Sequence, residues 1–392
     1  MGYARIDPPS APLTLPEPTS DATQLRNFLD AALSLLDEAG KPAALAGFEV
    51  DRYGLQKEFR ALMDKSNFPV AILSMGKGLL DENHPQFIGI YNGRLSASHV
   101  KDTVEGSDCL LSIGAKFYDS TTAGFTHQLP ENKTIELHPT YARVGHSWFP
   151  DVAMKDALRE LTGAVKPRSA NKGTVKSFYE SRAEERGGFK PENVPLTQKH
   201  FWELLEAFIK PGDVLIAETG TASYAASVAL PQGTSFIGQG LWASIGYALP
   251  ALLGALLAAP QRRQILCIGD GSFQVTAQEL STILRHNLKP IIILINNDGY
   301  TVERMILGEN ATYNDINMWR YARLGEVLDK QNRALGPCAA TEQEFAEALK
   351  IAGAAPDRLL LIEAMMRRDD APNALKEICK FGARQYRQLS PG

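Results

Sequence analysis

A chain of 392 residues, 44% hydrophobic and 22% charged, has an ordinary globular composition and is too long for one core, so two or three domains are expected. A formal net charge of -4 removes the electrostatic case for nucleic acid or an anionic membrane as a partner. The stretch nearest to a bilayer span, Leu241 to Ala259, is broken by Ser244, Gly246 and Gly254 and ends at Pro260-Gln261-Arg262-Arg263, so it reads as a buried helix.

Residues 1–18 are Pro-rich and read as an extended leader, without the apolar core or cleavage pattern of a signal peptide. Thr19-Ser20-Asp21 then caps a helix in which Leu25, Phe28, Leu29, Ala32, Leu33 and Leu36 recur at helical spacing, and Gly40 stops it. Strands at Ala43 to Ala46, Val70 to Leu73, Leu110 to Ile113 and Thr134 to Leu137 alternate with helices at Leu55 to Lys65, Ala97 to Glu105 and Val152 to Leu161. That alternation implies a parallel sheet in a first domain, residues 19–165.

Residues 166–195 are charged, with Gly and Pro, and read as a linker that is partly helical from Val175 to Glu185. A second β/α unit fills residues 196–392. Thr197 caps a helix running to Ile209, and strands follow at Val214 to Ala217, Ser235 to Gly238, 265–268, 291–295 and Leu359 to Ile362. Helices are expected after Trp242 and from Ala277 to Arg285. The expected fold class is therefore α/β, with two doubly wound parallel-sheet domains. Cys109, Cys267, Cys338 and Cys379 lie far apart without a C-x-x-C, and the seven histidines show no H-x-x-x-H, which argues against disulfides and zinc and for a reducing, cytoplasmic compartment.

Two turns carry the chemistry. Gly269-Asp270-Gly271-Ser272 follows the apolar run 265–268, and Asn296-Asn297-Asp298-Gly299 follows the run 291–295. Both sit at the C-terminal ends of strands, where open α/β sheets bind ligands. Asp270 offers a carboxylate, Asn297 a carboxamide oxygen and Gly299 a backbone carbonyl, a hard oxygen set suited to Mg²⁺ that holds a diphosphate. Gly271 lets the backbone approach an anion, and Ser272 can donate to a phosphate oxygen at a helix start. On its own the first turn also describes a tight strand-to-helix turn with a capping Asp; the pairing with the second favours the metal. Glu218-Thr219-Gly220-Thr221 ends an earlier strand and reads either as a diphosphate or substrate loop or as a plain connection. Ile245 reads as a wedge under a cofactor or as core. Glu303, just past the second turn, reads as a proton-transfer acid or as a solvated carboxylate favoured at a helix start.

Together these residues resemble the thiamine diphosphate enzymes, and closely the 2-oxo acid decarboxylases of the pyruvate and indolepyruvate decarboxylase type. The resemblance runs from about residue 12 to the end of the chain and is most specific over Ile268 to Glu279, Leu288 to Glu303 and Tyr313-Asn-Asp-Ile316 with Trp319. Ala217 to Thr221 and Leu241 to Gly246 belong to the same pattern, and Met75 to Gly78 with Asp81 to Pro85 resemble the central domain of these enzymes. The resemblance implies that Asp270, Asn297 and the Gly299 carbonyl hold Mg²⁺. It implies that Gly271, Ser272 and the loop Glu218, Thr219, Gly220 and Thr221 contact thiamine diphosphate. It makes Ile245 the wedge and the Ala243 carbonyl the acceptor for the aminopyrimidine, where most relatives have Gly. It brings Tyr300 and Thr301 to the cofactor, and Glu303 to the substrate as the catalytic acid. Tyr300, Val302, Ile306 and Leu307 would line part of the pocket, with a core role equally open for the last two.

The implied reaction is non-oxidative decarboxylation of a small 2-oxo acid of the pyruvate, indolepyruvate or phenylpyruvate type to an aldehyde and carbon dioxide. The chain reads as starting at the central domain, so the pyrimidine-binding domain with its activating glutamate is expected from elsewhere. No adjacent His-His pair is present, nor a Gly-x-Gly-x-x-Gly in the first domain, nor a cysteine near Gly47-Phe-Glu-Val. The expected assembly is a homodimer or tetramer, or a complement with a chain that supplies the pyrimidine domain. Two other functions share these motifs: a truncated, catalytically incompetent paralogue or assembly subunit, and an acetolactate synthase-like carboligase, against which Tyr300-Thr-Val-Glu303 and Tyr313-Asn-Asp-Ile316 argue.

Overall fold

The structure, a computed structural model, describes residues 10, 11, 14, 16–168 and 189–389. Most of the expected leader and the expected helix from Val175 to Glu185 lie outside the described residues. Two β-sheets organise the described chain, each with helices packed on it.

The first sheet holds β1 (Pro42–Ala46), β2 (Val70–Leu73), β3 (Phe87–Tyr91), β4 (Cys109–Ile113), β5 (Thr134–His138), β6 (Tyr141–Val144) and β7 (Ser147–Pro150), in the order β3-β2-β1-β4-β5-β6-β7. Its first five strands are parallel and apolar. The last two form an antiparallel hairpin at the edge, which the sequence reading does not include. Tyr141, Arg143, Ser147 and Trp148 leave that hairpin half exposed, so it lacks the continuous apolar run of a buried strand. The helices are α1 (Ala22–Glu38), α2 (Glu49–Arg52), α3 (Gln56–Ser66), α4 (Ser98–Glu105) and α5 (Met154–Ala164). Asp21 caps α1 by accepting from the amides of Thr23 and Gln24 at 2.9 Å, which stabilises the helix by about 1 kcal/mol. Phe28, Ala32 and Leu36, four residues apart, bury one stripe of it against the sheet's core.

The second sheet holds β8 (Val214–Ala217), β9 (Ser235–Gly238), β10 (Gln264–Gly269), β11 (Ile291–Asn296), β12 (Ala334–Leu335), β13 (Cys338–Ala339) and β14 (Leu359–Met365). Its order is β12-β14-β11-β10-β8-β9, with β13 also on β14, and every pairing is parallel. The helices are α6 (Gln198–Phe208), α7 (Ala248–Ala258), α8 (Asp270–Thr276), α9 (Glu279–Arg285), α10 (Thr301–Leu307), α11 (Leu324–Leu328), α12 (Glu342–Ala354) and α13 (Asn373–Leu389). Two apolar clusters cover the two faces of this sheet. The expected helix over Leu241 to Ala259 is shorter than its apolar run. Residues 241–247 are irregular because Ala243 (φ 48°) and Gly246 (φ 84°) are left-handed, a conformation no helix accommodates.

The two sheets touch through a buried contact. Glu82 pairs with Lys77 in the first and accepts from the Leu230 amide of the second at 2.9 Å. Cys109, Cys267 and Cys379 are buried and Cys338 is exposed, none of them paired. Among the described residues no helix is long and apolar enough to cross a membrane.

Candidate functional site

In a doubly wound sheet the ligand crevice opens where consecutive connections leave in opposite directions. In the second sheet that point lies between β8 and β10, because β8 leads outward to β9 and the chain then returns to the other side of β8. Register places Ala217, the last residue of β8, opposite Cys267 of β10, and Gly269 of β10 opposite Ile295 of β11. The loops after β8, β10 and β11 therefore emerge side by side.

Asp270 stands at the centre and is 1% exposed. Its Oδ1 accepts from the Gly271 amide at 2.7 Å, and its Oδ2 from the amides of Asn297 at 3.2 Å and Gly299 at 3.0 Å. One carboxylate thus joins the two turns that the sequence singles out. Burial pushes its carboxyl up to about 6, against the pull of those three amides. A bound cation would offset the cost of that buried charge, and Oδ1 has one lone pair not taken by an amide.

The other donors of the set are available. Asn297 is buried, and its carboxamide makes no hydrogen bond to a described residue. Gly299 adopts φ 104°, and a Cβ there would lie 2.2 Å from the Asn314 carbonyl oxygen, so only glycine fits. Its carbonyl accepts from Thr301 N at 3.1 Å and keeps a second lone pair. One carboxylate, one carboxamide and one carbonyl suit a hard cation that completes its shell with phosphate and water. They do not suit zinc, and among the described residues no group of three or more His, Cys, Asp or Glu side chains could hold a metal.

Around this centre the remaining residues take distinct positions. Gly269 has open space where a Cβ would stand. Gly271 meets the Tyr300 ring, with a Cβ there only 2.4 Å from a ring carbon, so Tyr300 covers the first turn. Ser272 is buried and its hydroxyl is uncommitted among the described residues. The helix it begins, α8, is only seven residues long, so its dipole adds little to anion binding. Gly220, at φ 73°, faces Val302 of α10, which brings the Glu218 to Thr221 loop alongside. Thr301 donates its hydroxyl to the Arg368 carbonyl at 3.0 Å and so ties down α10.

Glu218 is a brace. Its carboxylate is 1% exposed and accepts from Thr219 N at 2.9 Å, Gly246 N at 3.0 Å and Ala248 N at 3.1 Å. Burial pushes its carboxyl up while those amides pull it down. It therefore fixes the foot of the segment 239–247. On that segment's other flank Ser120, in the connection after β4, donates to the Gly240 carbonyl at 3.2 Å. The crest between stays bare, with Trp242 80% and Ile245 43% exposed. Ile245 lies in the same segment as Gly246, whose carbonyl accepts from the Thr276 hydroxyl at 2.9 Å. Glu303 is half-buried in the first turn of α10. It lies close enough to α13 to help burial push the Cys379 thiol up to about 11.

Sequence reasoning missed two supports of the site. Glu363 on β14 accepts from Asn296 Nδ2 at 2.8 Å and from Ala322 N at 3.0 Å, fixing the residue just before Asn297. A charged residue inside the apolar run Leu359–Met365 is the signal that could have found it. Arg304 is the second: a basic side chain only 6% exposed, directly after Glu303.

Comparison with known proteins bears on both sheets. Residues 29–164 match the family model "Thiamine pyrophosphate enzyme, central domain", and residues 218–364 match "Thiamine pyrophosphate enzyme, C-terminal TPP binding domain". The chain is 38% identical over 375 residues to an alpha-keto-acid decarboxylase of Mycolicibacterium paratuberculosis, covering 95% of this chain and 66% of that protein. It is 37% identical over 372 residues to a pyruvate decarboxylase of Aspergillus fumigatus, covering 94% of this chain and 65% of that one. The chain thus spans about two thirds of the length of these relatives. Its fold is similar to that of benzoylformate decarboxylase from Polynucleobacter necessarius, with a TM-score of 0.71 at 18% identity over 94% of this chain and 69% of the other.

Proposed function

We infer function from what the chain is: it belongs to the thiamine pyrophosphate enzymes, of which it carries the central and the C-terminal TPP-binding domains. We propose that it takes part in the non-oxidative decarboxylation of a small 2-oxo acid to an aldehyde and carbon dioxide, and that its own contribution is the half of the site that anchors Mg²⁺ and the diphosphate. The observation that carries this reading is the Asp270 carboxylate, buried and bonded to both turns beside an uncommitted Asn297 carboxamide.

When bound, thiamine diphosphate supplies the carbon nucleophile for the keto carbon and the sink for the electrons released with carbon dioxide. Asp270 Oδ1, Asn297 Oδ1 and the Gly299 carbonyl would hold the cation. Ser272, the Gly271 backbone and the loop Thr219 to Thr221 would hold the diphosphate. Ile245 would support the cofactor from below, the Ala243 carbonyl would accept from its aminopyrimidine, and Tyr300 would close over the diphosphate. Glu303 would face the substrate and move a proton at its keto oxygen, a task for a carboxyl at the edge of the site. The bare crest at Trp242 and Ile245 supports an assembly in which a pyrimidine-binding domain packs there. A homodimer or tetramer in the cytoplasm is our reading of the assembly.

The test is carbon dioxide release from pyruvate, phenylpyruvate and indolepyruvate with Mg²⁺ and thiamine diphosphate, by the chain alone and with a pyrimidine-binding domain supplied. We expect release in the second case and thiamine diphosphate binding in both. A chain that takes up no thiamine diphosphate at any Mg²⁺ concentration contradicts the anchoring role.

A further inference from the structure

A metal-binding carbonyl on a glycine needs something to hold its peptide still, because glycine crosses between φ basins that other residues cannot enter. Gly299 is such a residue, and the group that holds it is Arg304. Its guanidinium lies where a Gly299 side chain would be, with Nη2 3.1 Å and Nη1 3.4 Å from that Cβ position. Nη2 donates to the Asp298 carbonyl at 2.7 Å, the Asn314 carbonyl at 3.1 Å and Asp315 Oδ1 at 2.8 Å. The Asn314 carbonyl also accepts from Tyr300 N at 3.1 Å.

Peptide planarity turns these contacts into an orientation. The peptide between Asp298 and Gly299 is pinned at both ends, its carbonyl by Arg304 and its N–H by Asp270 Oδ2 at 3.0 Å. The next peptide carries the Gly299 carbonyl, and its Tyr300 N–H is pinned by the carbonyl that Arg304 also holds. Arg368 closes the outside of the network by pairing with Asp298 and, at 3.5 Å, with Asp315. Charges balance as two arginines against two aspartates. Arg304 Nε and Nη1 and Asn314 Oδ1 find no hydrogen-bond partner among the described residues, so the guanidinium is buried for the sake of the one nitrogen that makes the clamp.

We propose that Arg304 is a positioning residue that sets the direction of the Gly299 carbonyl toward the cation and holds residues 312–315 against the metal turn. This rests on the Mg²⁺–diphosphate role proposed above. Two measurements test it on the full chain. Amide hydrogen exchange on the cofactor-free protein should show Tyr300 N–H exchanging at least about tenfold faster in Arg304→Met than in wild type, with the Ile292 and Ile293 amides in the middle of β11 unchanged. Calorimetric titration of Mg²⁺ at fixed thiamine diphosphate should show the half-saturating Mg²⁺ concentration raised about tenfold, as for other supports of metal ligands. Arg304→Lys should fall between the two, because the ammonium keeps the charge but sits on a shorter side chain that stops short of the Nη2 position. Asp315→Asn, at an exposed site, should shift Mg²⁺ dependence slightly and serves if Arg304→Met does not fold. Wild-type exchange and wild-type Mg²⁺ dependence in a folded Arg304→Met, or Lys and Asn variants that both match wild type, overturn the proposal. An Asp270→Ala control separates the failures: if it still binds thiamine diphosphate like wild type, the anchoring role is what fails, and the exchange result judges the clamp alone.

Discussion

The two sheets of this chain are both doubly wound, in different strand orders, and treat the crevice at the switch point in opposite ways. In the first, the switch point falls between β1 and β4, and there the backbones close on each other. A Cβ on Gly47 would stand 2.4 Å from the Gly114 carbonyl oxygen, and one on Gly114 would stand 2.9 Å from Val50 N. Side chains seal what remains: His138 Nδ1 bonds Glu49 Oε2 at 2.7 Å, and Lys116 lies 3.3 Å from Glu49 Oε1. In the second, the crevice between β8 and β10 has empty space over Gly269 and donors left uncommitted at Asn297 and Ser272. A doubly wound sheet provides a place for a ligand; the residues at the strand ends decide whether it is kept or filled.

Substitutions that exchange these conditions put the contrast to the test. Gly47→Ala should be the most damaging to stability, by about 3 kcal/mol, because backbone on both sides must move. Denaturant unfolding measures it, and thiamine diphosphate binding by the folded fraction should persist. Glu218→Ala comes next. It strands the buried amides of Gly246 and Ala248 and should cost about 2 kcal/mol in the same unfolding experiment, with faster exchange at those two amides. Gly269→Ala inverts the first case: its Cβ enters open space and its φ of -74° is ordinary. Stability should change by less than about 0.5 kcal/mol while the calorimetric affinity for thiamine diphosphate falls about tenfold, because the proposed cofactor would take that space. Ala243→Gly should have the smallest effect, a gain of about 0.5–1 kcal/mol in thermal or denaturant unfolding, because Ala243 sits at φ 48° and glycine relieves that strain.

Much of this contrast is legible in the sequence, and the reason is local. Strands such as Val70–Leu73, Val214–Ala217 and Ser235–Gly238 fall where apolar runs end in turn residues, and the parallel sheets follow from their alternation with helices. The turns at Asp270 and Asn297 announce themselves by residue type at the ends of such runs. What the sequence hides is how side chains are spent on distant backbone. Glu218 looks like a ligand-loop residue, yet its carboxylate is occupied 28 and 30 residues away at Gly246 and Ala248. Arg304 looks like a solvent-facing helix residue, yet it is buried against the carbonyls of Asp298 and Asn314. The helix expected over Leu241 to Ala259 fails at its start because Ala243 and Gly246 are left-handed, and Glu218 accepts from the Gly246 and Ala248 amides where the shortened helix begins.

Cofactor anchoring is proposed to depend on Asp270, which joins the two turns, forming one cation site with them. Calorimetric titration of thiamine diphosphate into wild type and Asp270→Ala, each with and without Mg²⁺, tests it most directly. Binding by the wild type should require Mg²⁺, and Asp270→Ala should lose at least about a hundredfold in affinity. Equal binding by the two proteins, or wild-type binding indifferent to Mg²⁺, would contradict it.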